Sequence, residues 1–210
     1  MLTPRQGPAF ATPGPEVETL SSARAAAQDC RRCDLYRNAT HLVFGEGPPR
    51  ARVLLVGEQP GDKEDLAGAP FVGPSGQLLD RCLEKAGIDR DLCYVTNAVK
   101  HFKFEPRGKR RIHSKPNVGE VQACAWWLAA ELRFVKPQLV VALGATALYS
   151  LLGRGAKVTR DRGAVLKTPD MPPVLVTIHP SALLRTLNRP EAAVNQERFV
   201  ADLAKIADFL

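Results

Sequence analysis

Four short segments carry residue types that could do chemistry. The first is Arg107-Gly-Lys-Arg-Arg-Ile-His-Ser-Lys115, in which a single imidazole, His113, closes a run of cations. Between Lys100 and Lys115 seven lysines and arginines stand against one acid, Glu105, so this segment holds six of the chain's seven excess positive charges. Cations at that density seek a polyanion, most simply a nucleic acid. A neutral imidazole among them could attack an electrophilic sugar carbon or orient a water; the competing reading is a solvated basic loop with an idle histidine. The second segment, Gly57-Glu-Gln-Pro-Gly61 followed by Asp62, is a glycine-bounded turn with two acids, an amide and free backbone N–H groups. It lacks the glycine and lysine spacing of a P-loop or a dinucleotide site, which argues against a nucleotide cofactor. The third, His179-Pro-Ser181, sets a histidine where a strand should end, a place where a core histidine is the ordinary alternative. The fourth, Cys30-x-x-Cys33, has metal-ligand spacing but needs two more soft ligands from distant sequence to complete a tetrahedral site for zinc or an iron–sulfur cluster.

The elements that must position these residues follow from pattern. Arg52–Gly57, Gln138–Gly144 and Pro173–His179 are continuous β-branched and aliphatic runs, the mark of strands buried on both faces of a parallel sheet, and Tyr94–Asn97 is a shorter one. Between them lie helices: one from Ser75 to Gly87 with an apolar stripe through Leu78, Leu79, Cys82, Leu83 and Ala86, one over Val118–Phe134 capped by Asn117 and Glu120, one over Ala145–Leu152, and a last over Glu191–Phe209. Alternation of this kind predicts a three-layer α/β/α sandwich around a central, mainly parallel four-stranded sheet. Ligands in such folds sit beyond the carboxyl ends of the strands, and Glu58–Asp62, Asn97 and His179–Ser181 all fall there. Pro70-Phe-Val-Gly-Pro74 places Phe71 between turn residues, as a loop plug or a stacking platform.

Length and composition set the outer bounds. A chain of 210 residues with 45% hydrophobic and 24% charged content fits one soluble domain, here residues 16–210, behind a flexible proline-rich tail over residues 1–15. No run approaches the ~20 apolar residues of a membrane span, and the tail has no apolar core of a secretory signal. A cytoplasmic location is expected, nucleoid-associated in a bacterium. Five cysteines without an export signal argue for metal or core roles and against a disulfide framework.

Taken together, Val56-Gly-Glu-Gln-Pro-Gly-Asp62, Gly68-Ala-Pro-Phe-Val-Gly-Pro-Ser-Gly76, Tyr94-Val-Thr-Asn-Ala-Val-Lys100, Leu143-Gly-Ala-Thr-Ala147 and His179-Pro-Ser-Ala-Leu-Leu-Arg185 resemble the uracil-DNA glycosylase superfamily on its iron–sulfur branch. They occur in that family's order and span most of the chain from Cys30 onward. Gln59 and the inserted Lys109-Arg-Arg-Ile-His113 run look like the X-type subclass, related to family 4, whose members become covalently attached to DNA after excising uracil.

The resemblance implies a set of roles. Phe71 stacks on uracil, Asn97 pairs with its amide edge, and the Glu58-Gln59 turn closes the pocket. His179 hydrogen-bonds uracil O2 and stabilises the anionic leaving base. His113 captures C1′ of the abasic sugar, with Glu58 orienting it or taking its proton, Asp62 supporting the segment and Arg111 anchoring it. Lys109, Arg110, Ser181 and Arg185 contact phosphates. A 4Fe–4S cluster takes Cys30, Cys33, His101 and Cys124; His101 stands where hydrolytic relatives have cysteine, and Cys93 is its rival as fourth ligand. The implied partner is uracil-containing DNA, preferably single-stranded, met by a monomer. Two other readings stay open: a conventional hydrolytic glycosylase using water, and a non-catalytic DNA-binding module.

Overall fold

The computed structural model describes residues 14–169 and 171–210; residues 1–13, most of the expected tail, lie outside them. Helix α1 (Leu20–Ala27) begins at Thr19, whose hydroxyl accepts from the Ser22 amide at 3.0 Å. Strand β1 (Val53–Gly57), helices α2 (Asp62–Ala67) and α3 (Pro74–Lys85) and strand β2 (Cys93–Asn97) come next. A hairpin of β3 (Phe104–Arg107) and β4 (Arg110–His113) precedes α4 (Val118–Val135), β5 (Leu139–Leu143) and α5 (Ala145–Leu152). The chain closes with α6 (Val158–Asp161), β6 (Val165–Thr168), β7 (Met171–Thr177), α7 (Pro180–Leu184) and α8 (Ala192–Ala204), followed by a 3₁₀ turn over Lys205–Phe209.

The central sheet runs β2-β1-β5-β7-β6. The four expected strands are its parallel part, and β6 adds a fifth, antiparallel to β7 at one edge. Period-2 geometry sorts their side chains between two cores. Val53, Leu55, Val95, Val141 and Leu175 face Leu78, Leu79, Leu83, Phe199 and Leu203 of α3 and α8. Leu54, Val56, Val140, Ala142 and Val176 face Leu128, Leu132, Leu148 and Leu151 of α4 and α5. Every β1 and β5 residue is buried, which is why their sequence is continuous in apolar side chains instead of alternating.

A third cluster packs α1 against α4 through Ala23, Ala27, Val121, Trp127 and Ala130, with Cys30 and Cys124 at its margin. Across the interior, Lys100 and Glu131, both fully buried, form an ion pair at 2.5 Å. Lys100 Nζ also donates to Thr96 Oγ1 and to the Asn97 carbonyl at 2.9 Å, while Glu131 accepts from Gly45 N and Tyr94 Oη. This network fixes the end of β2, where Asn97 sits. It also removes Lys100 from the surface: the basic footprint expected over Lys100–Lys115 begins further along the chain, because this lysine's charge is answered inside.

Candidate active site

The chain leaves β1 toward β2 on one side and later fills β5 and β7 on the other, so the sheet order reverses beside β1. At that switch point, beyond the strands' carboxyl ends, lies a cleft of about 740 Å³. Glu58 and Gln59 enter it after β1, Asn97 from the end of β2, Gly144 after β5 and His179 after β7; Phe71, Asp62, Ser181, Arg185 and His113 complete its wall. Four segments remote in sequence are thus brought to one place by a parallel sheet.

The floor is tightly fitted. Gly57 pairs with Asn97 across β1 and β2, and a Cβ on it would meet Asn97 Oδ1 at 2.3 Å and Phe71 Cζ at 2.7 Å. Phe71 is held at φ 59°, a strained value for a residue with a side chain. Beneath it a Cβ on Gly76 would lie 1.6 Å from the Phe71 carbonyl oxygen. Glu64 ties the two turns together, accepting from Gly61 N at 3.1 Å and Gly73 N at 2.6 Å. The Phe71 ring lies nearly parallel to that of His179, 6.4 Å between centroids. Asn97 is only 3% exposed, yet its side-chain amide has no hydrogen-bond partner among the described residues.

His179 caps α7. Its Nδ1 accepts from the Ser181 amide at 3.1 Å, which places the ring proton on Nε2 and leaves that atom as a donor. Burial, with Arg185 and His113 nearby, pulls its pKa down to about 4. At neutral pH the ring is therefore an uncharged donor. Ser181 Oγ is shared between His179 Nδ1 at 2.8 Å and Arg185 Nη1 at 3.2 Å.

The basic segment is a hairpin and not an open loop. Gly108, at φ 59°, gives it a two-residue turn, and β3 pairs with β4 from Phe104–His113 to Arg107–Arg110. Gln59 clamps its root, accepting from Lys103 N and donating to the Lys103 and Ser114 carbonyls, each at 3.1 Å. Arg111 turns inward: Nε reaches Asp62 at 2.6 Å, Nη1 reaches the fully buried Asp65 at 2.5 Å and Thr40 Oγ1 at 3.1 Å, and the guanidinium lies over Phe102 and Phe104. Asp65 in turn accepts from the Thr40 and His41 amides. Two residues further along β4 and on the same face as Arg111, His113 points Nε2 at Glu58 Oε1, 3.4 Å away, while Glu58 Oε2 accepts from Thr146 Oγ1. Lys103 pairs with Glu120 at 2.9 Å, so the exposed cations of the segment are Arg107, Lys109, Arg110 and Lys115.

The cysteine segment lies on the other side of Thr40 and His41. Cys30 accepts from the Trp127 indole N–H at 3.0 Å and Cys124 from the Lys100 amide at 3.2 Å; His101, kept neutral by burial, shares a cavity with Cys30. Cys33 and Cys30 both act on the Cys124 thiol, which burial pushes up to about 12. The donor set and the N–H groups aimed at its sulfurs suit a sulfur-ligated cluster. As they stand, no three His, Cys, Asp or Glu among the described residues close around a metal ion. Cys93 is elsewhere, at the start of β2 in the core against α3. Motif reading includes Thr146 within Leu143–Ala147 without giving it a role, and it passes over Glu64, Asp65 and Glu131. The strand-end rule reaches Thr146, two positions past Gly144, and the three-residue spacing from Gly61 marks Glu64 as a cap; nothing local marks Asp65 or Glu131.

Comparison with known proteins matches residues 44–204 to the Uracil DNA glycosylase superfamily. The chain is 37% identical over 169 residues to a type-4 uracil-DNA glycosylase of Thermotoga maritima, covering 80% of this chain and 84% of that one. It is 32% identical over 199 residues to another of Archaeoglobus fulgidus, covering 91% and 94%. A type-5 uracil-DNA glycosylase of Thermus thermophilus is 36% identical over 125 residues, 52% of this chain and 53% of that one.

Proposed function

This chain belongs to the uracil DNA glycosylase superfamily, and from that membership we propose that it excises uracil from DNA and then bonds to the abasic sugar through His113. The observation that carries the second part is the approach of His113 Nε2 to Glu58 Oε1, 3.4 Å, inside the cleft that also holds Asn97 and His179.

A uracil swung out of the stack, or taken from a single strand at lower cost, enters between Phe71 and His179. The idle Asn97 amide meets its Watson–Crick edge. As the C1′–N1 bond breaks, its electron pair leaves with uracil, and His179 Nε2–H stabilises the charge gathering on O2. The sugar is left with oxocarbenium character at C1′. His113 Nε2 passes its proton to Glu58, the freed pair forms the N–C1′ bond, and that proton ends on uracil N1. Asp62 and Arg111 hold the hairpin during this step, and Gln59 holds its root while its main chain lines the pocket. Lys109, Arg110, Ser181 and Arg185 take phosphates. Cys30, Cys33, His101 and Cys124 would hold a 4Fe–4S cluster, which when bound fastens the cysteine segment to α4 and the end of β2. The protein works as a monomer, with residues 16–210 folding as one domain.

The type-4 relatives favour a second reading, in which water takes the sugar carbon and His113 only neighbours the DNA. Incubation with uracil-containing single-stranded DNA and a denaturing gel separates the two. Capture gives a heat-stable species of lower mobility, lost in His113→Ala; hydrolysis gives free abasic DNA with either protein. Equal binding of uracil- and thymine-containing strands with no base released would sink both in favour of a binding module.

A further inference from the structure

We propose that Thr146 is a positioning residue for capture: its hydroxyl holds one oxygen of Glu58 so that the other is presented to His113. This deepens the capture reading and rests on it.

Glu58 has three contacts, one through its main chain and two through its carboxylate. Its carbonyl accepts from Val99 N at 3.0 Å, tying its main chain to the segment just after β2. Its Oε2 accepts from Thr146 Oγ1, and its Oε1 faces His113 Nε2 at 3.4 Å. Without the hydroxyl the carboxylate is free to turn about its last bond, and no other side chain among the described residues hydrogen-bonds it. Thr146 itself is rigidly placed. It is 5% exposed on the first turn of α5, whose cap Gly144 takes φ 92° and would bring a Cβ within 3.1 Å of His179 Cβ. The helix is thereby seated directly against the leaving-group donor. The arrangement follows the logic of activated nucleophiles: a reacting nitrogen, a carboxylate to take its proton, and a third group that orients the carboxylate. Among the described residues neither the Thr146 hydroxyl nor the Glu58 carboxylate hydrogen-bonds Asn97, so removing the hydroxyl is expected to affect capture more than base recognition.

The expected result is a split between the two reaction stages. Thr146→Val keeps the side-chain shape and removes the donor. In single-turnover reactions on uracil-containing single-stranded DNA it should release uracil within about threefold of wild type and form adduct about ten- to a hundredfold more slowly, the worth of one hydrogen bond to a charged group. Free abasic DNA should accumulate in the interval, and Thr146→Ser, which restores a hydroxyl, should return adduct formation toward wild type. A variant in which release and capture fall together, with no recovery in serine, would mean that Thr146 merely packs α5, and the proposal is then wrong. So is it if the valine protein crosslinks at the wild-type rate while wild type does form adduct. Absence of adduct from wild-type protein overturns the capture reading and this inference with it.

Discussion

At the scale of single residues, two positions decide whether the cleft can act on a base. His179 takes up a proton in the unfolded chain near 6.5, but in the folded protein not until about 4, because burial first, then Arg185 and His113, disfavour the charged ring. Between those values the unfolded chain binds more protons than the native one, so stability attributable to His179 is complete above 6.5, declines as pH falls, and levels out below about 4. Subtracting the pH dependence of unfolding free energy of His179→Gln from that of wild type should isolate this slope; a flat difference would mean that the ring is not held neutral. The other position is Gly57. Its backbone is ordinary strand and adds no strain of its own to an alanine, but the added carbon would displace Asn97 Oδ1 and the Phe71 ring together. Gly57→Ala is expected to lower base release by about a hundredfold, the usual result of misplacing reacting groups by about an ångström, and to cost about 1–3 kcal/mol in stability through overpacking. Normal release would show that neither contact matters. Both sites were legible in sequence, Gly57 as the glycine that ends one apolar run and His179 as the histidine that ends another, whereas the tautomer of His179 was not. It depends on Ser181 turning its amide back onto the ring, a detail of the first turn of α7.

Among the elements, the parallel strands could be read because burial on both faces leaves no room for polar residues, and continuous runs such as Val53–Val56 have no other explanation. The β3–β4 hairpin could not. Pro106 and its abundant cations give no alternation, and its stability comes from long-range partners: Gln59 at the root, and Asp62, Asp65 and Thr40 around Arg111. Strand β6 escaped for a related reason, being four residues at an edge that pair only with β7. Asp65 is the deepest of the hairpin's anchors, and it binds the Thr40–His41 backbone with the same carboxylate that holds Arg111. Asp65→Asn keeps the volume and loses the charge. It should cost about 2 kcal/mol in denaturant unfolding, as expected for charged hydrogen bonds made neutral. It should also slow adduct formation more than base release, since the hairpin carries His113 and not the uracil pocket. Equal loss in both stages would place Asp65 in the general fold.

Taken as a whole molecule, the excess of seven positive charges is less concentrated than the sequence makes it look. Lys100 is spent on Glu131 in the interior, Lys103 on Glu120, and Arg111 on two aspartates, because side chains that seem to share a charged run point to different sides of the hairpin and of β2. Spacing along the chain cannot separate these cases; only the fold does. The exposed remainder of the segment is Arg107, Lys109, Arg110 and Lys115, and Arg185 is an exposed cation lining the cleft; these are the cations left for the proposed contacts with DNA. The consequence is quantitative, because each phosphate neutralised adds about 0.7 to the slope of log K against log salt for a single strand. Replacing Lys109 and Arg110 together with alanine should lower that slope by about 1.4 in binding titrations with the crosslink blocked by His113→Ala. Lys103→Ala should leave it nearly unchanged, since that ammonium is already paired with Glu120. Should Lys103→Ala flatten the salt dependence as much as the double variant, the ion pairs counted here as internal would open on binding, and the whole Lys100–Lys115 segment would act as the polyanion surface that its composition first implied.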